Sequence, residues 1–237
     1  MQYNDLDRLD LFTRVTGVLE NLTPLRVGAG REAQLGSPVD LEPLRVRLGD
    51  RSVPYIPGSS LKGVFRSLAE AIARAEGHVI HDPWDFEAAE QEARDGKYCL
   101  ICGIFGSTRL ASHVRIYDAY PKGTPTLFMK TGVGINRDFR GAHPNILYTE
   151  RQVEPGHRWS FMMDIVNIRV YPEPGDERGR ILRRVLDMLA EGMVQVGARK
   201  TVGYGLLRLV EGEYVVYGVR DGRLQRLESG KIGGGAV

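Results

Sequence analysis

The first long helix that the sequence predicts begins within the stretch Pro57-Gly58-Ser59-Ser60-Leu61-Lys62-Gly63-Val64-Phe65-Arg66-Ser67-Leu68. A Pro-Gly turn precedes Ser59 and Ser60, and serine side chains commonly cap the first turn of a helix. Lys62 and Arg66 follow four residues apart and therefore lie on one helix face. Free backbone amides, the helix dipole and two cations together attract phosphate. The stretch fits either a phosphate-binding helix N-terminus or an ordinary capped helix with solvated basic residues.

Length and composition indicate a globular protein. The chain has 237 residues, 42% of them hydrophobic, which is enough for the core of one large domain or two small ones. It contains no run of about 18 apolar residues and no N-terminal signal pattern, so neither a membrane span nor a secretory signal is predicted. The only two cysteines, Cys99 and Cys102, are too close in sequence to staple a fold. These features predict a cytoplasmic protein in a reducing compartment.

The formal net charge of +2 conceals an uneven distribution of charge. Between Leu41 and Arg74, six basic residues face three acidic ones, whereas between His81 and Gly96, six acidic residues face one arginine. A protein that binds a polyanion along one groove needs local rather than overall positive charge. The distribution therefore permits nucleic-acid binding without requiring it.

Hydrophobic periodicity predicts strands, two long helices and one projecting segment. Residues from Leu127 to Glu150 are basic and punctuated by glycine, and their number exceeds what a compact connection needs. We interpret this segment as a projecting β-hairpin. The other elements are predicted as strands at Leu11–Glu20, Leu44–Leu48, Ser112–Tyr120 and Trp159–Val170 and as helices at Ser60–Ala75 and Arg178–Gly192.

Four potential zinc ligands fall between residues 77 and 107. His78 and His81 precede an acidic, helical segment, and Cys99 and Cys102 form a C-x-x-C pair after it. Two imidazoles and two thiolates match the ligand number of a structural zinc site. Two buried thiols beside Phe105 or a redox pair are the alternatives, although the thioredoxin-like pattern of a redox C-x-x-C is absent. The sequence leaves these three alternatives open.

A second candidate for phosphate binding is the loop Val196-Gly197-Ala198-Arg199-Lys200-Thr201-Val202-Gly203-Tyr204-Gly205. Its glycines allow the backbone to approach a ligand closely, while Arg199 and Lys200 place two cations beside it. It is neither a Walker loop nor a dinucleotide fingerprint, because no G-K-[ST] opens a helix after the glycines and the loop leads from a helix to a strand. A loop of this kind suits a phosphodiester backbone.

Several segments together resemble one known family. Ile56–Gly63 and Gly197–Gly205 are similar to segments of the RAMP superfamily of CRISPR-associated proteins, in particular of the small repeated backbone subunit of type III effector complexes. The resemblance extends from about Phe12 to Arg208 and is specific through the number and order of its motifs. Supporting segments occur in the expected order at Leu25–Gly28, Cys102–Ser107 and Thr131–Arg137.

The resemblance implies an α+β fold with a ferredoxin-like (RRM-like) core, an inserted lid and a projecting β-hairpin thumb. It makes residues 1–237 a single RAMP domain, with the lid and its zinc candidates at 77–107 and the thumb at 121–152. The glycine loop and the basic helix are expected to bind the backbone of a guide RNA. The implied RNA-binding residues are Ser59, Ser60, Lys62, Arg66, Arg137, Gly197, Arg199, Lys200, Gly203, Tyr204 and Gly205.

The resemblance also implies a catalytic residue. In target-cleaving members of the family, an aspartate of the first loop is required for metal-dependent cleavage of the target RNA, and Asp40 occupies that place. RNA supplies its own 2′-hydroxyl nucleophile, so a kinked backbone, one carboxylate and a divalent cation, Mg²⁺ or Mn²⁺, would suffice. The alternative is that Asp40, which follows Ser-Pro, caps a turn.

The expected partners are a guide RNA, a complementary target RNA, other CRISPR effector subunits and further copies of the chain. Copies that repeat along a guide need complementary head-to-tail surfaces, and such contacts generate helical filaments, or rings if the rotation closes. Because each stacked copy would carry one Asp40, cleavage of the target at regular intervals is expected.

Three other functions are compatible with the sequence. His113, His143 and His157 offer general acid–base groups for a metal-independent endonuclease that processes guide RNA, although no pair has catalytic spacing. The chain also fits a non-catalytic RNA-binding scaffold, or an unrelated enzyme acting on a phosphorylated small molecule. Tight, steeply salt-dependent binding of single-stranded RNA separates the RNA-binding functions from the last alternative.

Overall fold

The computed structural model describes Tyr3 and residues 5–28, 39–220 and 222–233. Most of the predicted polar loop before Asp40, including Gly36 and Pro38, lies outside these residues. The described part contains ten strands and four helices. The strands are β1 (Leu11–Asn21), β2 (Arg45–Leu48), β3 (Arg51–Pro54), β4 (Val114–Ile116), β5 (Leu127–Ile135), β6 (Ala142–Val153), β7 (Arg158–Val166), β8 (Val194–Gln195), β9 (Leu206–Arg220) and β10 (Arg223–Ile232). The helices are α1 (Gly58–Ala75), α2 (Phe86–Asp95), α3 (Cys102–Phe105) and α4 (Glu177–Ala190).

The centre of the fold is an antiparallel sheet with the strand order β10-β9-β1-β7-β4, to which the short β8 adds by pairing with β9. Two connections through helices build this sheet. Helix α1 joins β1 to β4 with β7 between them, and α4 leads from β7 to β9 with β1 between them. The protein is therefore a mixed α/β structure in which two split βαβ units interlock. This agrees with the predicted α+β class.

The alternation of apolar and polar residues in β1 explains its position at the centre. Val15 and Leu19 are fully buried, while Arg14 and Thr16 are exposed on the opposite face. Helices α1 and α4 cover the buried face, and they also contact each other. The ring of Phe65 on α1 lies 6.3 Å from that of Phe161 on β7. The core thus sits between one sheet face and two helices, and the other sheet face has no helix packed on it among the described residues.

Two small hairpins and a short helical insertion surround this core. Strands β2 and β3 form one two-stranded sheet, and β5 and β6 form another, which is the hairpin predicted between Leu127 and Glu150. Single bridges also join β6 to Leu25 and Leu41. Helices α2 and α3 lie in the segment between α1 and β4. Within the described residues, no helix is long and apolar enough to cross a membrane.

Several element boundaries differ from those predicted, and two of the differences have a clear local cause. Helix α1 begins at Gly58, two residues before the predicted start, because Asp118 Oδ1 accepts a hydrogen bond from the Gly58 amide at 2.8 Å. Strand β7 ends at Val166 rather than Val170, since Asn167 adopts a left-handed conformation with φ of 54°. The sequence also gave little indication of the long hairpin of β9 and β10, which forms one edge of the sheet.

Candidate nucleic-acid interface

The two basic motifs of the sequence meet in one cleft. Its volume is about 670 Å³, and it lies between the first turns of α1 and the loop from Val196 to Gly205, called the glycine loop below. Ser59, Ser60 and Gly63 of α1 line one side. Gly197 and Lys200 of the glycine loop line the other, so residues more than 130 positions apart share this surface. We call this surface the cleft.

The serines of α1 are available to the cleft because they do not cap the helix. The N-cap residue is Pro57, and no side chain caps the helix from that position. Asp118 accepts the hydrogen bond of the Gly58 amide instead. Ser59 is exposed and Ser60 half-buried. The predicted serine cap was therefore wrong, and the two hydroxyl groups remain at the surface beside the helix N-terminus.

Backbone geometry explains two of the glycines in the glycine loop. Gly197 and Gly205 have φ values of 86° and 75°, which side-chain-bearing residues rarely adopt. A Cβ on Gly197 would lie 2.4 Å from the Arg26 carbonyl oxygen, and one on Gly205 would lie 1.9 Å from the Val196 carbonyl oxygen. These glycines therefore allow the loop to pack tightly on neighbouring backbone. Gly203, also at positive φ, has open space around its Cα.

The two cations of the glycine loop occupy different environments. Arg199 donates from Nε to Glu150 Oε2 at 2.9 Å, and its guanidinium carbon lies 4.7 Å from the centre of the Tyr148 ring. Glu150 is only 1% exposed and also pairs with Arg26 at 3.5 Å. Lys200, in contrast, is exposed and lines the cleft. Arg199 thus ties the loop to β6, while Lys200 faces a potential ligand.

Tyr204 also connects the glycine loop to the hairpin of β5 and β6. Its hydroxyl accepts a hydrogen bond from Lys130 Nζ, and this hydrogen bond raises the pKa of Lys130. The Lys130 ammonium lies 5.2 Å from the centre of the Tyr204 ring. Loop and hairpin are therefore held in contact by two cation–aromatic pairs and one buried ion pair. Arg137 is exposed in the turn between β5 and β6, at the distal end of this hairpin.

The two cations of α1 also occupy different environments, one paired and one unpaired among the described residues. Arg66 donates to Glu70 Oε1 at 2.9 Å and to the Gly106 carbonyl at 2.8 Å, and its side chain is 15% exposed. Lys62 is half-buried, and burial, assisted by the charge of Arg66, lowers its pKa. No described acidic residue lies within ion-pair distance of Lys62. Arg66 therefore attaches α1 to the residues after α3, and Lys62 keeps an unpaired ammonium.

Asp40 lies at the base of the hairpin of β5 and β6. Its Oδ2 accepts hydrogen bonds from the Thr149 amide at 2.6 Å and from the Thr149 hydroxyl at 3.2 Å. The Asp40 amide in turn donates to the Thr149 carbonyl at 3.1 Å, and Leu41 bridges to Glu150 in parallel. Asp40 is exposed, so its carboxylate is held in place by β6 and remains open to solvent.

One face of the same hairpin is apolar and exposed. Met129, Val133, Ile135 and Leu147 are between 46% and 68% exposed. Val133 and Leu147 are direct cross-strand partners, and Met129 lies two residue pairs further along the same face. The opposite face carries Lys130, Tyr148 and Glu150, which contact the glycine loop. The hairpin therefore presents a hydrophobic face away from the glycine loop.

A separate cluster of potential metal ligands lies between α1 and β4. His81, Glu92, Cys99 and Cys102 each offer one ligand atom, and these atoms all lie within 4.8 Å of one another. His81 Nε2 is 3.4 Å from Cys102 Sγ and 3.1 Å from Glu92 Oε2. Three of the four predicted ligands are thus brought together. His78 is outside the cluster and faces Glu76, so the fourth predicted ligand is replaced by Glu92.

Hydrogen bonding distinguishes the groups of this cluster. The Cys102 side chain and amide donate to Cys99 Sγ, which lowers the pKa of the Cys99 thiol, and the same interaction raises the pKa of Cys102. Burial alone would lower the pKa of His81, but hydrogen bonds with the Asp82 carbonyl and the Glu92 carboxylate raise it overall. Both cysteines are free thiols. The donor atoms are one nitrogen, one oxygen and two sulfurs, which matches the ligand number and types that bind structural zinc.

The three histidines considered for acid–base chemistry lie in different surroundings. His113 is fully buried, with Nε2 2.7 Å from Asp5 Oδ1, and burial lowers its pKa. His157 accepts a hydrogen bond from the Thr126 amide, and Nδ1 of the exposed His143 lies 2.8 Å from the Pro144 carbonyl oxygen. The structure therefore gives no shared site for these residues.

Sequence reasoning missed four residues that organise these sites: Glu92, Asp118, Thr149 and Glu150. Glu92 belongs to a helix whose many acidic residues suggest a solvent-exposed surface. It lies seven residues before Cys99, which is not a spacing typical of metal-binding motifs. Thr149 and Glu150 lie in a strand whose alternation predicts only a hairpin. Asp118 caps a helix 60 residues earlier in the chain. No local pattern in the sequence identifies such distant partners.

The fold and the cleft define a mixed α/β protein in which a helix N-terminus and a glycine-containing loop form one surface, with the Lys200 ammonium beside it. The family model of the RAMP superfamily matches residues 18–208. Because this match covers most of the chain, the protein belongs to the RAMP superfamily. No curated protein sequence matches the chain closely enough to count as a relative. Membership in this family points to a CRISPR-associated, RNA-binding subunit whose partners are RNA and other components of a CRISPR complex.

Proposed function

We propose that the protein is the small repeated backbone subunit of a type III CRISPR effector complex, which binds a guide RNA through the cleft. The observation that carries this proposal is that two motifs distant in sequence line one surface. Exposed hydroxyl groups, glycine backbone and the Lys200 ammonium can contact phosphates without reading bases. A sequence-independent backbone contact is what a subunit needs if it accepts guides of any sequence.

The topology supports assignment of the core to the ferredoxin-like (RRM-like) class. Strands β1, β4, β7 and β9 with helices α1 and α4 follow the order βαββαβ, and β9-β1-β7-β4 corresponds to the strand order 4-1-3-2. In this proposal residues 77–107 form a lid within the single domain. Residues 121–152 form a thumb, whose exposed apolar face, with Met129 and Leu147, suits insertion between bases of a guide–target duplex.

Asp40 is the residue we propose for cleavage of the target RNA. Thr149 fixes its carboxylate at the base of the thumb, where a distorted RNA backbone would pass. A single accessible carboxylate is a fitting ligand for Mg²⁺ or Mn²⁺, because such ions use few protein oxygens and retain several waters. The bound ion would neutralise charge that develops during the reaction. Asp40 would hold the ion, and the thumb would orient the RNA for in-line attack by its own 2′-hydroxyl on the adjacent phosphorus. The 2′-oxygen would form a 2′,3′-cyclic phosphate as the bond from phosphorus to the 5′-oxygen breaks, and the proton lost by the 2′-hydroxyl would be balanced by one that the leaving 5′-oxygen takes up from water.

The cluster of His81, Glu92, Cys99 and Cys102 is proposed as a structural zinc site of the lid. Its donor set fits zinc in number and type, and four protein ligands leave no open position for catalysis. Arg66 lies 3.9 Å from Cys102 Sγ, so the same cluster adjoins the anchor of α1. Zinc would therefore stabilise the wall of the cleft that α1 provides.

Copies of the protein are proposed to associate head to tail along the guide. The resulting open helix places one Asp40 and one thumb per copy at constant spacing. The test combines the protein, a guide RNA and an end-labelled complementary RNA with Mg²⁺ or Mn²⁺. We expect products separated by a constant interval, none with Asp40→Ala, and unchanged guide affinity for that variant. Failure to bind RNA would contradict the whole proposal.

A second candidate function is that of a non-catalytic scaffold on guide RNA. The observation that favours it is the pair of hydrogen bonds from Thr149 to Asp40, since an aspartate that joins a loop to a strand has a sufficient structural role. The same experiment separates the two functions. The scaffold would bind guide and target with steep salt dependence, and neither metal nor Asp40→Ala would change the length of the target RNA.

A further inference from the structure

A second cavity lies on the other side of the start of α1. Its volume is about 950 Å³, and residues of four separate parts of the chain line it. These are residues 6–12 with Phe12 at the start of β1, the first turns of α1 with Ser59 and Lys62, residues 111–116 with Arg115 on β4, and Val166 at the end of β7. Ser59 lines both this cavity and the cleft. We call it the side cavity; it continues the cleft across α1.

Positive charge dominates the side cavity. Lys62 and Arg115 line it from two different elements, and no described acidic residue lies within ion-pair distance of either. Arg8 lines it too, but pairs with Asp10 at 3.5 Å, and Asp7 contributes the one carboxylate among the lining residues. Lys62 is half-buried, and this burial, together with the nearby charge of Arg66, lowers its pKa. An incoming phosphate would supply the counter-charge that these side chains lack.

The side cavity also has a rigid aromatic wall. Phe12 lines it, and the Phe12 ring lies 6.2 Å from that of its cross-strand partner Tyr217. The guanidinium of Arg14 lies 5.5 Å from the centre of the Phe12 ring. Arg14 is itself held by Asp164 through hydrogen bonds of 2.7 and 2.8 Å. Phe12 is therefore fixed on a sheet face that has no helix packed on it among the described residues.

We propose that the side cavity binds one unstacked nucleotide of the RNA strand that leaves the cleft. Its phosphate lies between Lys62 and Arg115, and its base stacks against Phe12. A cation pair beside an aromatic ring is the combination that single-stranded nucleic acid requires, since phosphate and base are recognised together. This inference rests on the proposed function, because it extends the path of the same RNA past Ser59.

Two substitutions test the stacking contact and the phosphate contact separately. Phe12→Leu keeps an apolar side chain but removes the ring, and Arg115→Gln removes an exposed charge on an edge strand. Arg220→Gln, an exposed position at the end of β9 outside both cavities, is the matched control. Affinities of the full-length protein for a fluorescein-labelled 12-nucleotide single-stranded RNA are measured by anisotropy between 50 and 300 mM salt. Melting curves verify that each variant is folded.

The two variants are expected to differ in kind. Phe12→Leu should weaken binding about tenfold without changing the salt dependence, because stacking is not ionic. Arg115→Gln should weaken binding and reduce the slope of log Kd against log salt by about 0.7, the value for one phosphate of a single strand. Arg220→Gln should behave as wild type. If folded Phe12→Leu and Arg115→Gln proteins both bind like the control, the inference is overturned.

A free nucleotide could supply the same chemistry, so the experiment includes AMP as a competitor. We expect millimolar AMP to leave the RNA complex intact, since a single contact site does not replace the cleft. Displacement of RNA by micromolar AMP would instead assign the cavity to a free nucleotide and overturn the RNA assignment. If the wild-type protein does not bind RNA at all, the proposed function itself is contradicted. If the wild type binds RNA and the Phe12→Leu and Arg115→Gln variants bind it equally well, only this inference is contradicted.

Discussion

The first turns of α1 and the glycine loop each carry one arginine and one lysine. In both regions the arginine is paired within the protein, and within the described part of the chain the lysine is not. Arg66 is bound to Glu70 and to the Gly106 carbonyl, and Arg199 is bound to Glu150. Lys62 and Lys200 have no acidic partner among the described residues. The regions differ in what the arginine anchors. Arg66 anchors α1 to the Gly106 carbonyl just after α3, and Arg199 anchors the loop to Glu150 of β6.

This difference shows how α1 and the glycine loop are each joined to a neighbouring part of the protein. A guanidinium forms a planar, rigid set of hydrogen bonds, which suits a fixed joint between elements, while an ammonium on a flexible stem adapts to phosphates at varied positions. We therefore expect the arginines to hold the shape of the RNA-binding surface, and Lys200 in the cleft and Lys62 in the side cavity to contact phosphate. If this division is correct, substitutions of the two residue types must have different effects on stability and on RNA binding.

The largest effect on stability is expected for Arg199→Ala. Glu150 is 1% exposed, and removal of Arg199 leaves its carboxylate with only the 3.5 Å pair to Arg26. Loss of one partner of a buried pair should lower the free energy of unfolding by about 2 to 3 kcal/mol. Denaturant titration measures this change in the free energy of unfolding. The double variant Glu150→Gln with Arg199→Ala should recover part of the loss, because no unpaired buried charge remains.

Removal of metal from the lid is expected to have the next largest effect. Protein purified without chelator should contain about one zinc per chain, and strong chelation should lower the melting temperature by about 4 to 8 °C, equivalent to ~2 kcal/mol. Glu92→Ala should bind zinc more weakly, while His78→Ala should not. Equal zinc content in wild type and in Cys102→Ser protein would contradict a site built by this cluster.

The lysines are expected to affect binding and not stability. Lys62→Ala and Lys200→Ala should each weaken affinity for RNA about fivefold, or ~1 kcal/mol, for every RNA sequence tested. Each should also reduce the salt slope by about 0.7, while the free energy of unfolding stays within about 0.5 kcal/mol of wild type. An unchanged slope for both lysine variants would show that neither contacts phosphate and would remove the division between the two residue types.

Arg66→Ala should give the smallest change in RNA binding. Its ion pair with Glu70 is partly solvated, so we expect a loss of about 1 kcal/mol in stability. Hydrogen exchange should become faster in residues 99–106, because the bond to the Gly106 carbonyl is lost. The salt slope of RNA binding should remain that of wild type. A reduced slope would mean that Arg66 contacts RNA, as the sequence alone suggested.

The sequence predicted much of the fold, because strong local patterns specify β1, α1, α4 and the hairpin of β5 and β6. It did not predict the hairpin of β9 and β10. Gly212 and Gly218 interrupt β9, the register shifts between Arg226 and Glu228, and few side chains of β10 are buried. Such edge strands depend on pairing with a neighbour rather than on their own alternation.

The sequence also identified which segments form the candidate site, but not what each side chain does there. The resemblance placed Arg66 and Arg199 among the RNA-binding residues, as their charge suggests. Their partners Gly106 and Glu150 are 40 and 49 residues away in the chain, beyond any helical or strand spacing. Likewise, Glu92 and not His78 lies in the cluster with the two cysteines, because only the packing of α2 decides which of them reaches Cys99 and Cys102.

RNA crosslinking tests most directly whether RNA occupies the cleft between α1 and the glycine loop. A guide-length RNA containing 4-thiouridine at random positions is bound to the protein and irradiated, and the crosslinked peptides are identified by mass spectrometry. We expect crosslinks within residues 59–68 and 193–204, and fewer of them as salt increases. Crosslinks confined to the β9–β10 hairpin or to the lid, with none in those two segments, would contradict the proposed RNA path.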